Sequence, residues 1–369
     1  MADYDFDLLV IGSGPAGQRA AIQGAKLDKR VGVVERRAVV GGVCINTGTI
    51  PSKTLREAVL HLSGYRERGL YGASYAVKQN ITLADLLFRT DRVVQHEIDV
   101  ARHQLQRNRV EVLAADARFV DPHCVRLTYL DGRGHRDVTA RHLVVAVGAA
   151  ATQDHHIPFD SRRIFVSDDI LRLDHLPRTL TVVGAGVIGC EYASIFSTLG
   201  VHVTLIDMRA RLLPFVDSEI GEALAYHMRQ NRVTLRLGES VSGIEPIEDD
   251  HGPRVKIHLA SGKQVITEKA LHSVGRTGAT ASLDLPAAGL AADERGRLVV
   301  NKDYQTAVPH IYGVGDVIGF PSLASTSMEQ GRLPPATPSA SPPAACPSCS
   351  PTASTPSPKS PWSAAPKRN

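Results

Sequence analysis

Aromatic residues are scarce in this chain, at 5% with a single tryptophan. No apolar run reaches the roughly eighteen residues that a membrane-spanning helix requires. Cysteine is sparse as well: five are scattered through 369 residues, which is not the dense, even set of a disulfide-stapled secreted domain. An excess of one charge is also missing. The formal net charge is +4, and Lys359, Lys367 and Arg368 supply three of those charges from a terminal stretch with no acid in it. The body therefore stands near +1, too little for a nucleic-acid surface. The opening Met1-Ala2-Asp3-Tyr4-Asp5-Phe6-Asp7 is acidic and lacks the basic start and small-residue cleavage site of a secretory signal. His103, His123, His155 and His156 show no metal-ligand spacing with Cys or acids and read as surface or loop residues, so no metal site is expected. Together these absences lead us to expect a cytoplasmic protein with no nucleic-acid partner and no membrane association.

The chain does hold two copies of one supersecondary pattern. Residues 6–11 read as a short buried strand and run into Gly12-Ser13-Gly14-Pro15-Ala16-Gly17. Residues 18–27 read as an alanine-rich helix, residues 31–34 as a second strand, and Glu35 closes the unit. Gly12 permits the tight turn, Gly14 lets a pyrophosphate approach the backbone, and Gly17 lets the helix pack against the strand. The helix start offers free N–H groups and a positive dipole end to phosphate, and Glu35 can accept from ribose hydroxyls. The pattern returns as a strand over 180–183, Gly184-Ala185-Gly186-Val187-Ile188-Gly189, a helix over 190–199 and a strand over 201–206 ending at Asp207. Two such units favour two bound nucleotides, one held and one exchanging. Asp207 suits a free ribose 2′-hydroxyl and hence NAD(H). Arg209 and Arg211 either pair with the 2′-phosphate of NADP(H) or belong to a solvated loop, so the choice of nucleotide stays open.

Between and after these units the reading is coarser. Residues 82–107 form a long polar helix, residues 110–120 and 124–129 strands of a hairpin, and residues 143–149 a buried strand returning to the first sheet. Residues 233–268 alternate as β structure with turns at Gly252 and Gly262.

A third segment holds the chemistry: Gly41-Gly42-Val43-Cys44-Ile45-Asn46-Thr47-Gly48-Thr49-Ile50-Pro51-Ser52-Lys53. It resembles the flavin-side segment of the pyridine-nucleotide-disulfide oxidoreductases, whose usual form places a second cysteine where Thr49 stands. A hydroxyl cannot close a disulfide, so a dithiol relay is chemically unavailable here. Ile311-Tyr312-Gly313-Val314-Gly315-Asp316 resembles the stretch with which this family sets an aspartate beside the ribityl chain of FAD. Within the family the chain is most similar to the soluble, Si-specific NAD(P)+ transhydrogenases. That likeness rests on residues 12–18, 42–59 and 70–72, on Ser273-Val274-Gly275-Arg276, and on residues 324–332.

The resemblance implies an α/β fold of two Rossmann-like domains, with the FAD domain (residues 1–150 and 273–333) split around an NAD(P) domain (residues 151–272). It implies FAD, NAD and NADP as cofactors, and hydride transfer between NADPH and NAD+ through the flavin. It places Lys53 near flavin N5, paired with Glu191, with Cys44 and Thr49 beside the ring. Gly12, Gly14, Gly17, Glu35, Gly41, Gly42, Cys44, Lys53 and Asp316 would hold FAD. Gly184, Gly186, Gly189, Asp207, Arg209 and Gly275 would hold the pyridine nucleotide. The other readings are a flavoprotein that passes electrons from NAD(P)H to quinone or oxygen, and a silent nucleotide-binding fragment.

From residue 334 onward there is no Leu, Ile, Val or Phe, and these 36 residues hold 11 of the 22 prolines. A stretch of this kind cannot bury a core and is expected to be disordered. The family would continue into an interface domain that makes a homodimer. We therefore expect an out-of-frame tail from a frameshift near Leu333, with a native Pro/Ser linker as the other reading, and no well-defined dimer from residues 1–369. On this reading Cys346 and Cys349 are accidental, and sequencing the coding DNA decides the matter.

Overall fold

The computed structural model describes residues 4–72, 74–250 and 252–334. The expected tail lies outside the described residues, except for Pro334.

The chain begins with β1 (Phe6–Ile11), α1 (Pro15–Lys26) and β2 (Val31–Glu35). Both strands are almost wholly buried, as short apolar runs in a covered parallel sheet must be. Next come α2 (Gly42–Asn46), α3 (Thr49–Leu62), α4 (Arg68–Tyr71) and α5 (Leu83–Arg107). The last is fixed at its start by a reciprocal cap in which Asp85 N–H donates to the Thr82 hydroxyl and Thr82 N–H to the Asp85 carboxylate. Then follow β3 (Glu111–Asp121), β4 (Cys124–Tyr129) and β5 (His135–Val145).

Strands β3, β2, β1 and β5 lie side by side in parallel. The outer portions of β3 and β5 leave that sheet and are joined by antiparallel β4. The β5 strand is longer than the sequence reading of 143–149, because its polar first half, from His135, pairs with β4.

At β6 (Ala149–Ala151) the chain leaves this sheet. The second sheet is built from β7 (Ile164–Val166), β8 (Thr179–Val183), α6 (Val187–Thr198), β9 (His202–Asp207), α7 (Ser218–Gln230) and β10 (Thr234–Leu237). Strands β11 (Val241–Asp249), β12 (Gly252–Leu259) and β13 (Gln264–Thr267) form an antiparallel flap. Strand β14 (Lys269–His272) then completes the parallel order β10-β9-β8-β14-β7. The chain returns along β15 (Arg276–Gly278), which pairs antiparallel with β6, so the two crossings between sheets run together. Finally β16 (Ile311–Gly313) adds to β5 at the edge of the first sheet, and α8 (Ala324–Arg332) packs across α1. Gly331 is required there, since a Cβ on it would overlap the Ala16 carbonyl.

The two halves share a core. Leu55 and Val59 of α3 and Leu86 of α5 belong to the same buried cluster as Phe165 and Leu180 of the second sheet and Phe196 of α6. Among the described residues, no helix is long and apolar enough to cross a membrane.

Candidate active site

The first glycine loop is built as the spacing predicts. Gly12 sits at φ +104, in the left-handed region open to glycine. A Cβ on Gly17 would overlap the Gly12 carbonyl oxygen, so the start of α1 lies directly on the turn. Gly14 caps α1 with no side-chain acceptor, leaving the first-turn N–H groups to face the cleft. Glu35, at the end of β2, is buried and accepts from Ser13 N–H (3.1 Å), the Ser13 hydroxyl and Arg37 N–H (2.9 Å).

The Gly41–Lys53 segment hangs from this loop. Gly41 N–H donates to the Ser13 carbonyl (3.2 Å) and hydroxyl (3.1 Å). Gly42, at φ +60, lies so close that a Cβ there would be 2.7 Å from Gly14 Cα. Cys44 stands in α2 and Thr49 opens α3, and the turn between them is closed by Gly48 N–H donating to the Val43 carbonyl (2.7 Å). Both side chains line one cleft, open to solvent, together with Gly12, Gly14, Glu35 and Asp316. Burial raises the Cys44 thiol above its ordinary value. The Thr49 hydroxyl opposes that shift, and the negative charges of Asp316 and Glu97 add to it. Cys44 is therefore a thiol at neutral pH, not a thiolate. We expect iodoacetamide to label Cys44 slowly at pH 7, with a rate still climbing above pH 9, read by mass spectrometry of its peptide. A rate that levels off below pH 8 would contradict this.

Asp316 follows β16 and is itself raised by burial, against the charge of Arg276 and a hydrogen bond from Ser327. Several cleft residues carried no signal in the sequence. Ala115, Asp116 and Ala117 of β3 line the Glu35 end, and Asp168 lines the Asp316 end beside Ser327 of the 324–332 stretch. Gln330 of α8 accepts from Gly315 N–H at 2.8 Å, fixing the turn that presents Asp316. Only the resemblance over 324–332 pointed to this helix.

Lys53 lies one turn beyond Thr49 on α3, and its Nζ is 2.6 Å from Glu191 Oε1 on α6. The two residues are 138 positions apart in sequence. Their pair ties the helix after the cysteine segment to the helix of the second nucleotide unit. Lys53 is not itself among the residues lining the cleft.

The second loop repeats the first. Gly184 is at φ +101, a Cβ on Gly189 would overlap the Gly184 carbonyl, and Gly186 caps α6 without a side-chain acceptor. Gly275, at φ +85, turns the chain between β14 and β15. Asp207 differs from its counterpart Glu35: the Arg209 guanidinium folds onto it, Nε to Oδ1 at 2.8 Å and Nη2 to Oδ2 at 2.7 Å. Arg209 thus stands in an exposed bend, with its guanidinium paired to Asp207. Arg211 lines a small separate cavity beside α7. No group of three or more His, Cys, Asp or Glu side chains able to hold a metal occurs among the described residues.

A profile of the family Pyridine nucleotide-disulphide oxidoreductase matches residues 6–331. The chain belongs to this family. Its relatives include the soluble pyridine nucleotide transhydrogenase of Mycobacterium bovis (strain BCG / Pasteur 1173P2), 51% identical over 329 residues that cover 89% of this chain and 69% of that protein. The soluble pyridine nucleotide transhydrogenase of Colwellia psychrerythraea is 44% identical, covering 89% and 70%. Among solved structures, the Cu(II) complex of the HOCl-induced flavoprotein disulfide reductase RclA from Escherichia coli superposes with a TM-score of 0.78 at 29% identity. That match covers 90% of this chain and 70% of that one. The family's cofactors, FAD and NAD(P), fit the observed donor sets: each glycine loop is a cradle without Cβ atoms, backed by an uncapped helix start and an acid.

Proposed function

We propose that the chain transfers hydride between NADPH and NAD+ with FAD as the intermediary. The observation that carries this reading is Thr49 in the second cysteine position, facing the same cleft as a protonated Cys44. No disulfide can form there, so a dithiol relay to a disulfide substrate is closed and hydride must leave for another kind of acceptor, which we take to be a second nucleotide. The names of the transhydrogenase relatives agree with this.

FAD held in this cleft would supply a two-electron carrier between the nicotinamides of the two nucleotides. The chain's own residues do the rest. The α1 start and Gly12, Gly14 and Gly17 hold the pyrophosphate, Gly41 and Gly42 bring the cysteine segment onto that loop, and Glu35 takes the ribose. Asp316 addresses the ribityl end. Lys53 stands one turn beyond Thr49 on α3, held by Glu191, and would bring a positive charge toward the reacting ring from outside the cleft lining. Gly184, Gly186 and Gly189 cradle the exchanging nucleotide, with Asp207, Arg209 and Gly275 around its adenosine side. The FAD-binding part then comprises residues 1–150 and 273–333, and the NAD(P)-binding part residues 151–272.

Stopped-flow mixing of flavin-loaded protein with NADPH and an NAD+ analogue of distinct absorbance tests this. Reduction of the analogue, with no turnover of glutathione disulfide or lipoamide, is the expected result. NADPH consumption that requires a quinone or oxygen, or turnover of a small disulfide, would overturn it.

A further inference from the structure

Strand β16 is three residues long and lies at the edge of the first sheet, beside β5. Its other side has a single bridge, from Gln305 to Tyr312. So short an edge strand is held by few contacts, and such segments open most easily. Yet β16 leads directly into Gly315 and Asp316 of the cleft. The residue before it supplies an anchor. His310 donates from Nε2 to the Pro122 carbonyl (2.8 Å), in the turn between β3 and β4. Its ring lies flat on that of His123, with centroids 3.7 Å apart and planes 5° from parallel. His123 in turn is bound twice to Ala140 of β5: its Nδ1 donates to the Ala140 carbonyl (2.9 Å), and Ala140 N–H donates to the His123 carbonyl (2.9 Å). The His310 carbonyl accepts from Leu143 N–H (2.9 Å), where the pairing of β5 with β16 begins. The stacked rings thus clip the start of β16 to the β3–β4 turn and to β5.

The surroundings make this clip sensitive to acid. Each ring already gives one N–H to a carbonyl, so a further proton goes to the remaining nitrogen and sets charge against charge in the stack. The groups packed around it are mostly basic: β5 brings Arg141 and His142, and the turn after α1 brings Lys29. Tyr4 lies against His123, with ring centroids 5.1 Å apart. Asp121 and Cys124 flank the turn, and the Asp121 carboxylate accepts from the His123 backbone N–H (2.7 Å). The histidine salt bridges among the described residues are those of His175 and His258, not of this cluster. The Nδ1 atom of His142 is buried without a partner. Burial holds His310 below its ordinary value of 6.5; the Pro122 bond opposes this and the charge of His123 adds to it. Burial lowers His142 as well, helped by Arg141, His310, His123 and Lys29. Groups lowered in this way stabilise the fold fully above about pH 6.5, and that contribution is lost as pH falls.

We propose that the stacked His123–His310 pair is an acid-sensitive latch on β16: protonation parts the rings, frees the strand that leads into Asp316 and loosens FAD. The latch needs only FAD in the cleft and is independent of which acceptor takes the hydride.

The rate of FAD release from the flavin-loaded full chain, followed by flavin fluorescence at pH 7.5 and pH 5.5, tests it. The readout is the ratio of the two rates, because a variant that only holds FAD less well changes both and leaves their ratio. In wild type the rate should rise roughly tenfold on acidification, the effect of about one pKa unit of coupling. His123→Phe combined with His310→Phe keeps two flat rings and removes both titrating groups. Its ratio should fall to about threefold or less, with Asp316 and His142 supplying the remainder. Hydrogen exchange of residues 311–316 in the flavin-loaded wild type is a second measure that needs no variant. Corrected for intrinsic rates, it should show protection lost at pH 5.5 while residues 164–166 of the second sheet keep theirs. A wild-type ratio below about threefold, a double variant with the wild-type ratio, or unchanged protection of residues 311–316 would overturn the latch.

Discussion

Lys53→Met protein should retain FAD but bleach its flavin absorbance on mixing with NADPH roughly a hundredfold more slowly than wild type. Methionine keeps the length and much of the apolar stem of lysine and removes only the charge. A preorganised charge beside developing negative charge is typically worth about 3 kcal/mol of barrier, and each ~1.4 kcal/mol is tenfold in rate. Glu191 holds Lys53 Nζ at 2.6 Å, so the charge is positioned before any reaction begins. Glu191→Gln should then cost less than Lys53→Met, since the charge remains and only its placement loosens. Single-wavelength stopped-flow gives both numbers. An unchanged reduction rate in Lys53→Met would show that this ammonium does not face the reacting ring.

Gly17→Ala should be among the most damaging single-methyl changes in the described residues. The added Cβ would fall on the Gly12 carbonyl oxygen, a backbone atom that can move only if the turn does. Overpacking against backbone costs about 3 kcal/mol or more, and here it also deforms the phosphate cradle. Thermal unfolding should drop sharply and FAD should be lost on gel filtration. Gly186→Ala, at the position that matches Gly14 in the other loop, is the contrast. Gly186 has φ −76 and nothing within 4 Å of the new Cβ, so folding should be unaffected. Its cost should instead appear as weaker binding of the exchanging nucleotide. If Gly17→Ala melts with wild type, the close packing of α1 on its turn is not what this glycine serves.

These contrasts show what the sequence could and could not reveal. Glycine loops, apolar strands and closing acids are local, because each is fixed by neighbours a few residues away. Strands β1, β2, β8 and β9 were accordingly legible within a residue or two. Likewise, the buried alternation Leu113, Ala115, Ala117 and Phe119 announced β3. The polar start of β5 was hidden because its stability comes from β4, not from its own side chains. Helix α3 was also obscured, since Gly48, Thr49 and Pro51 look like a loop until Pro51 is seen in the first turn of a helix. The Lys53–Glu191 pair spans the two nucleotide units, and only the family resemblance joined them. For Arg209, spacing allowed a phosphate ligand or a solvated loop. Its contact with Asp207 is a side-chain choice that spacing alone does not decide.

The position of β16 bears on how the protein is made. The first sheet, and the cleft built on it, are finished only by β16, Asp316 and α8, near the end of the described chain. All strands of the second sheet lie between Ile164 and His272, so a ribosome delivers that sheet complete while the first still waits for its last strand. During synthesis the order of maturation should therefore invert the order in sequence, with the later unit folding first and flavin captured last. Stalled nascent chains of increasing length would show it: protease protection of residues 164–272 should precede any flavin retention. Flavin held by chains that end before Ile311 would refute this order.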